Sequence, residues 1–306
     1  MRRGWRLAAV AAGLAAVGGA ARWGLARVSV SVEASEPLPH RYSAGALMLC
    51  GGGALPPEVR DHFVALAGGR EAHLVVIPSG HRSIDNPAPG QWESYLEPWR
   101  SRGAASVRML HAKTRADAES PGVASVLDGA TGVWISGGSQ TRLAEIYRGT
   151  AVERRMAALL ARGGVVGGTS AGAGVMTQVM IAGGRAEADV GEGLDLLPGA
   201  VVDQHFLRRN RLGRLLGVVK SRLGLVGLGV DEDTALVVDL RTRRARVEGK
   251  SYVVACVADP PALPPDDAGV VPVRTEALKA GDEIDLAAFA AQAARPIAAA
   301  FDLDGR

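Results

Sequence analysis

From residue 45 onward, short β-branched runs alternate with helical stretches. "ALMLC" stops at Gly51-Gly52-Gly53, and the Pro-led "PEVRDHFVALAGG" that follows reads as a helix ended by glycines. "HLVVIP" predicts the next strand. A polar loop with Pro87 and Pro89 then leads to a helix near "WESYLEPWRSRG", kinked by Pro98. "SVRML", "GVWIS" and "GVVGG" predict three more strands. Between the last two, "TAVERRMAALLARGG" predicts a helix with Thr150 and Glu153 as a capping-box pair and Gly163 as its stop. "AGAGVMTQVMIAGG", after Ser170, reads as a further helix. Strands that alternate with helices imply a three-layer α/β fold, a mostly parallel sheet covered on both faces.

"AVVDQ", "VGLGVDE", "ALVVD" and "SYVVACV" come closer together, so the sheet is expected to be completed by later, partly antiparallel strands. A Pro-rich spacer, 259–267, leads to a modest strand and a helix near 286–294. No internal repeat is present. The economical organisation is one α/β catalytic domain over 44–306, with a core at 45–257 and an extension at 258–306.

Composition narrows the class. Apolar residues make up 47% and aromatic ones 4%, so the core is mostly Ala, Val and Leu. A net charge of +3, with no long basic run outside one arginine cluster, argues against a nucleic-acid protein. Residues 1–30 have the form of an export signal: Arg2, Arg3 and Arg6 precede an apolar stretch from Leu7 to Ala21, with small residues near Ala21 and Ala26. Arg22 cuts that stretch short of a comfortable membrane span, so a cleaved signal is preferred over an N-terminal membrane anchor. The chain is therefore expected to be exported, periplasmic or extracellular. Two cysteines, Cys50 and Cys256, make neither a disulfide framework nor a zinc site, and two buried thiols are the simpler reading. "GKS" at 249–251 lacks the upstream glycine of a phosphate-binding loop.

The chemistry concentrates in "ARGGVVGGTSAGAGVM". Gly168-Thr169-Ser170-Ala171-Gly172 fits G-x-S-x-G, a sharp strand-to-helix turn that projects a serine hydroxyl above the end of a sheet. In open α/β sheets, ligands bind beyond the carboxyl ends of the strands, where Gly51–Gly53, the "SGGSQ" of 136–140 and Ser170 all fall. A serine hydroxyl needs a base, and of six histidines only His205 lies after Ser170. It ends a predicted strand one unit downstream, a spacing that disfavours the α/β-hydrolases, whose histidine follows far later. Ala171 N–H is the natural first oxyanion donor, and the Gly137-Gly138 turn offers a second at Gly138. Glu187, Asp189 and Glu232 all stand as candidates to orient the imidazole. Arg208, Arg211 and Arg214 recur at helical spacing and equally describe a wet helix face.

"GGTSAGAGVM", "VVDQHFLRRNRLGRLL" and "GLGVDEDTAL", in that order, resemble cyanophycinase and the related aspartyl dipeptidases over about residues 45–257. The resemblance implies a serine peptidase on the class I glutamine amidotransferase-like (flavodoxin-like) fold, with Ser170 as nucleophile and His205 as base. It implies Glu187 as the third member, a glutamate lying between the two. It matches Gln140, Asp203, Gln204, Arg209, Arg211 and Arg214 to the family's substrate-binding string. Cyanophycin is a polyaspartate whose side chains carry arginine, so arginines would grip its free carboxylates and Asp203 a guanidinium. The expected activity is exopeptidase release of β-aspartyl-arginine, or cleavage of short α-aspartyl peptides. The expected partner is a peptide or polymer, and no metal or organic cofactor is implied. A homodimer is common in such enzymes. Ser139 departs from the family's usual acid there.

Overall fold

The computed structural model describes residues 44–259 and 271–293; the N-terminal segment 1–30 and most of the Pro-rich spacer lie outside the described residues. The chain opens with β1 (Ala46–Cys50), α1 (Pro57–Leu66), β2 (His73–Ile77), α2 (Gln91–Arg100) and β3 (Ser106–Met109). Two short helices, α3 (Arg115–Glu119) and α4 (Pro121–Ala124), lead to β4 (Gly132–Ile135). Then come α5 (Gln140–Tyr147), α6 (Ala151–Ala161), β5 (Val165–Thr169) and the four-residue α7 (Ala171–Gly174). Strands β1 to β5 form a parallel array in the order β1-β5-β4-β2-β3.

Strands β1, β2, β4 and β5 are buried on both faces, which is why they read as continuous apolar runs rather than alternating ones, whereas β3 lies at the sheet edge with Arg108 exposed. Met48 and Cys50 of β1 pack with α1 and α2, whereas Leu47 and Leu49 face the core built with α5 and α6. The aromatic residues are few, and three of them meet on the α1/α2 face. Phe63 stands edge-on to Trp99 and Trp134 at centroid distances of 5.2 and 5.1 Å. Such pairs add about 0.5–1.5 kcal/mol each beyond the area they bury, so this face is pinned at one point by a rigid cluster.

After α7 the chain departs from expectation. A helix was expected through "AGAGVMTQVMIAGG", but a hairpin, β6 (Val179–Gly183) and β7 (Asp189–Glu192), takes over. The carbonyls that would continue the helix are already used: Val175 O accepts Leu194 N–H, and Met176 O accepts Leu196 N–H, both at 2.7 Å. The expected capping box of α6 is also absent. Thr150 Oγ1 donates to Tyr147 O at 2.6 Å, and Glu153 accepts from Gly149 N–H, so both side chains secure the tight turn after α5.

The later strands do not all complete one sheet. They are β8 (Ala200–Gln204), then α8 (Leu212–Lys220), β9 (Val226–Val230), β10 (Thr234–Asp239), β11 (Arg244–Gly249), β12 (Tyr252–Ala258), β13 (Val273–Lys279) and β14 (Glu283–Asp285), with α9 (Leu286–Ala293) last. Antiparallel β10, β11 and β14 extend the main sheet past β1 to eight strands, while β8, β9, β12 and β13 form a second sheet. The chain crosses from β9 to β10, and so from one sheet to the other, through Asp231–Asp233. Cys50 and Cys256 are both free and buried, one in each sheet.

Candidate active site

Ser170 follows the last residue of β5 with φ 53° and ψ −117°, a conformation that non-glycine residues rarely hold. Only small neighbours permit the turn: a Cβ at Gly172 would lie 2.0 Å from Ile135 O. The elbow geometry expected from G-x-S-x-G is therefore present.

Three backbone bonds gather the site on the turn after β1. Cys50 O accepts Ser170 N–H at 2.9 Å, Gly51 O accepts His205 N–H at 2.8 Å, and Gly52 O accepts Asp233 N–H at 2.8 Å. Three successive carbonyls thus hold three distant segments in order. His205 and Asp233 are also left-handed, at φ 50° and 56°. Gly52, at φ 108°, lies so near the imidazole that a Cβ there would stand 2.3 Å from His205 Cε1. That is a close approach only glycine allows.

The side chains complete the constellation. Ser170 Oγ is 2.8 Å from His205 Nε2, and His205 Nδ1 is 2.6 Å from Glu232 Oε1. A carboxylate only accepts, so Nδ1 carries the proton and Nε2 is left to accept from the serine hydroxyl. Burial lowers the His205 pKa below its ordinary value; the hydrogen bond to Glu232 opposes this, and Arg209 and Arg211 add to the lowering. The imidazole is accordingly neutral at pH 7, the form a general base requires.

Glu187, expected as the third member, sits exposed in the turn between β6 and β7, and Asp189 is exposed on the same hairpin. Neither reaches His205. Glu232 does, because it lies on the crossing from β9 to β10, directly beside the β8 end that carries His205.

The string around His205 divides in two. Asp203, expected to meet a substrate guanidinium, is fully buried and receives Arg214 through two bonds, Nε to Oδ2 at 2.7 Å and Nη2 to Oδ1 at 2.5 Å. Arg211 reaches Asp203 Oδ1 at 3.3 Å and also donates to the Gln204 side chain and, at 2.5 Å, to its carbonyl. Arg214 further donates to Gly184 O at 2.5 Å, tying the hairpin turn to α8. Asp203, Gln204, Arg211 and Arg214 therefore bond to one another. Arg209 stays exposed, near enough to act on His205.

Gln140 is also committed internally. Its Nε2 donates to Ile181 O at 2.9 Å and Ala182 O at 3.2 Å, fastening β6 to the start of α5. Ser139, in place of an acid, caps α5 by accepting Arg142 N–H at 3.2 Å. The glycine turn does border the nucleophile: a Cβ on Gly137 would touch Ser170 Cβ at 3.5 Å, while Gly138 leans on Gly80. Among the described residues, neither Ala171 N–H nor Gly138 N–H has an acceptor.

Residues 47–244 match the family model described as peptidase family S51. The chain belongs to peptidase family S51. This match spans every residue of the Ser170–His205–Glu232 array. As an S51 peptidase the chain is 37% identical over 217 residues to a cyanophycinase of Trichormus variabilis, across 67% of this chain and 70% of that protein. It is 35% identical over 234 residues to a cyanophycinase of Thermosynechococcus vestitus, across 72% and 70% respectively. The crystal structure of a peptidase from an acI-B1 Actinobacterium shares the fold, with a TM-score of 0.61 at 21% identity over 79% of this chain and 97% of that one. The protein is a peptidase of the serine type.

Proposed function

We propose that the protein is an exported exopeptidase that releases β-aspartyl-arginine from cyanophycin through an acyl-enzyme on Ser170. The observation that carries the mechanism is the hydrogen-bonded line from Ser170 Oγ through His205 to Glu232, at 2.8 and 2.6 Å. His205 Nε2 takes the serine proton as Oγ attacks the carbonyl, and returns it to the leaving amine. Glu232 holds the ring in the working tautomer and stabilises the imidazolium that forms. Ala171 N–H, with Gly138 N–H from the neighbouring turn, receives the oxyanion; one such donor is worth about 10²–10³ in kcat. Water then attacks the acyl-enzyme by the same base. Exposed Arg209 meets a free carboxylate of the substrate.

The relatives' activity supports the polymer as substrate. The test is mass spectrometry of the soluble products after incubation with insoluble cyanophycin, using protein that begins after residue 30. Release of β-aspartyl-arginine by the wild type, and none by Ser170→Ala, is the expected result. Absence of dipeptide while Ser170 is still labelled by a fluorophosphonate would discard cyanophycin and leave short aspartyl peptides. Export is checked by fractionation: mature protein confined to the cytosol would overturn it.

A further inference from the structure

Beside the nucleophile, on the face of the main sheet covered by α1 and α2, lies a cleft of about 140 Å³. Trp99 and Trp134 form its apolar wall, and Ser136 and Thr169, the residue before Ser170, bring it to the catalytic edge. Ser94, Tyr95 and Arg60 supply its other polar groups. No carboxylate is among the lining residues, so the cleft has no anion to pair with a substrate guanidinium.

Arg60 is anomalous. It is half-buried, yet no acceptor among the described residues lies within hydrogen-bond or ion-pair distance of its guanidinium. Its neighbour Asp61 is taken by Arg102 Nε at 2.8 Å. Burial, with the Arg102 charge adding to it, lowers the Arg60 pKa from its ordinary value. The nearby Asp61 charge offsets part of this, but among the described residues no acceptor bonds the guanidinium itself. Two arginines of the His205 string differ sharply: Arg214 is spent on Asp203 and Arg211 on Gln204. Tyr95, which burial keeps neutral, is a phenol donor on the same cleft.

We propose that this cleft is a carboxylate subsite, in which the planar fork of Arg60 takes a free carboxylate of the aspartyl substrate while the Trp99–Trp134 wall excludes water. The assignment rests on the reading of Ser170 as the nucleophile of an aspartyl peptidase. It places the substrate's acidic group on the α1/α2 side of the scissile bond, away from the internally satisfied arginines of α8.

Calorimetry on the Ser170→Ala protein tests the subsite without turnover, with N-acetyl-aspartate as the probe and N-acetyl-asparaginamide, which has no carboxylate, as its neutral counterpart. The aspartate derivative is expected to bind at least about tenfold more tightly, the scale of one charge-assisted bond. Arg60→Met in the same background should erase that preference. The methionine keeps the apolar stem and removes the half-buried charge, so Tm should hold or rise. Equal binding of N-acetyl-aspartate to both proteins, or no binding to either, overturns the subsite. A marked drop in Tm on Arg60→Met would make Arg60 a structural residue and overturn it as well. Cyanophycin cleavage plays no part in this measurement, so failure of the polymer reading leaves it intact, and cleavage without Arg60-dependent binding sinks the subsite alone.

Discussion

Asp203 and Glu232 are two carboxylates that flank the same histidine, one two residues before it in the chain and one across a sheet boundary. Asp203 is sealed, with both oxygens held by Arg214. Glu232 is partly open and holds one hydrogen of an imidazole. The first pair is closed on itself, each carboxylate oxygen bonded to the guanidinium. The second contains a group whose proton must come and go. Burial is what divides structure from chemistry here: a deeply buried ion pair resists any change in charge, while a half-exposed carboxylate can follow a proton on its partner.

This contrast predicts different failures. Glu232→Gln removes the negative charge beside the imidazole and lets an amide N–H donate to Nδ1, which favours the wrong tautomer, so kcat should fall by about 10³–10⁴, roughly 4–5.5 kcal/mol of transition-state stabilisation. Glu232 also raises the His205 pKa, so the surviving activity should show its acid limb at lower pH than the wild type. Steady-state rates across a pH series check both effects. Glu187→Gln should change neither, and a comparable loss there would return the role to the hairpin.

Asp203→Asn should do the opposite. It strands Arg214 in the interior without its anion, at a cost of about 3–5 kcal/mol in unfolding free energy. The fraction that remains folded should label with a fluorophosphonate at close to the wild-type rate. Urea unfolding paired with labelling separates the two, and a variant that is fully stable but unreactive would make Asp203 part of the chemistry.

The smallest effect on the pH profile belongs to Arg209. Its charge lowers the His205 pKa, and His205 must be neutral to accept a proton. Activity is lost as pH falls through that pKa, so Arg209→Met should move the acid limb of kcat/KM to higher pH. Added salt should narrow the gap between variant and wild type, because an exposed charge is screened.

These outcomes bear on what was readable beforehand. Ser170, His205 and Glu232 each stand one or two residues past the end of a strand: β5, β8 and β9. That rule selected the first two from their flanking apolar runs. Applied to the acids, it would have preferred Glu232 to Glu187, which follows a stretch misread as helix. Order along the chain was a poorer guide than position at a sheet edge. The inner parallel strands were legible because burial on both faces leaves continuous apolar runs. Strand β11, "RARVEG", was not, because charged residues alternate along it on an exposed side. The fate of the arginines was hidden for a related reason. Spacing places Arg211 and Arg214 on a helix, but whether that helix turns them outward or onto Asp203 depends on packing against a second sheet.

The three carbonyls of Cys50, Gly51 and Gly52 also impose an order in time. The nucleophile leaves the ribosome well before the acid that supports its base, about 60 residues earlier, or some 3–12 s at ordinary synthesis rates. Until β9 pairs with β8 and the chain crosses to β10, Gly52 O lacks Asp233 and His205 lacks Glu232. A newly made chain therefore carries its serine unarmed, and hydrolytic power arrives only with the last of the segments that converge on the glycine turn.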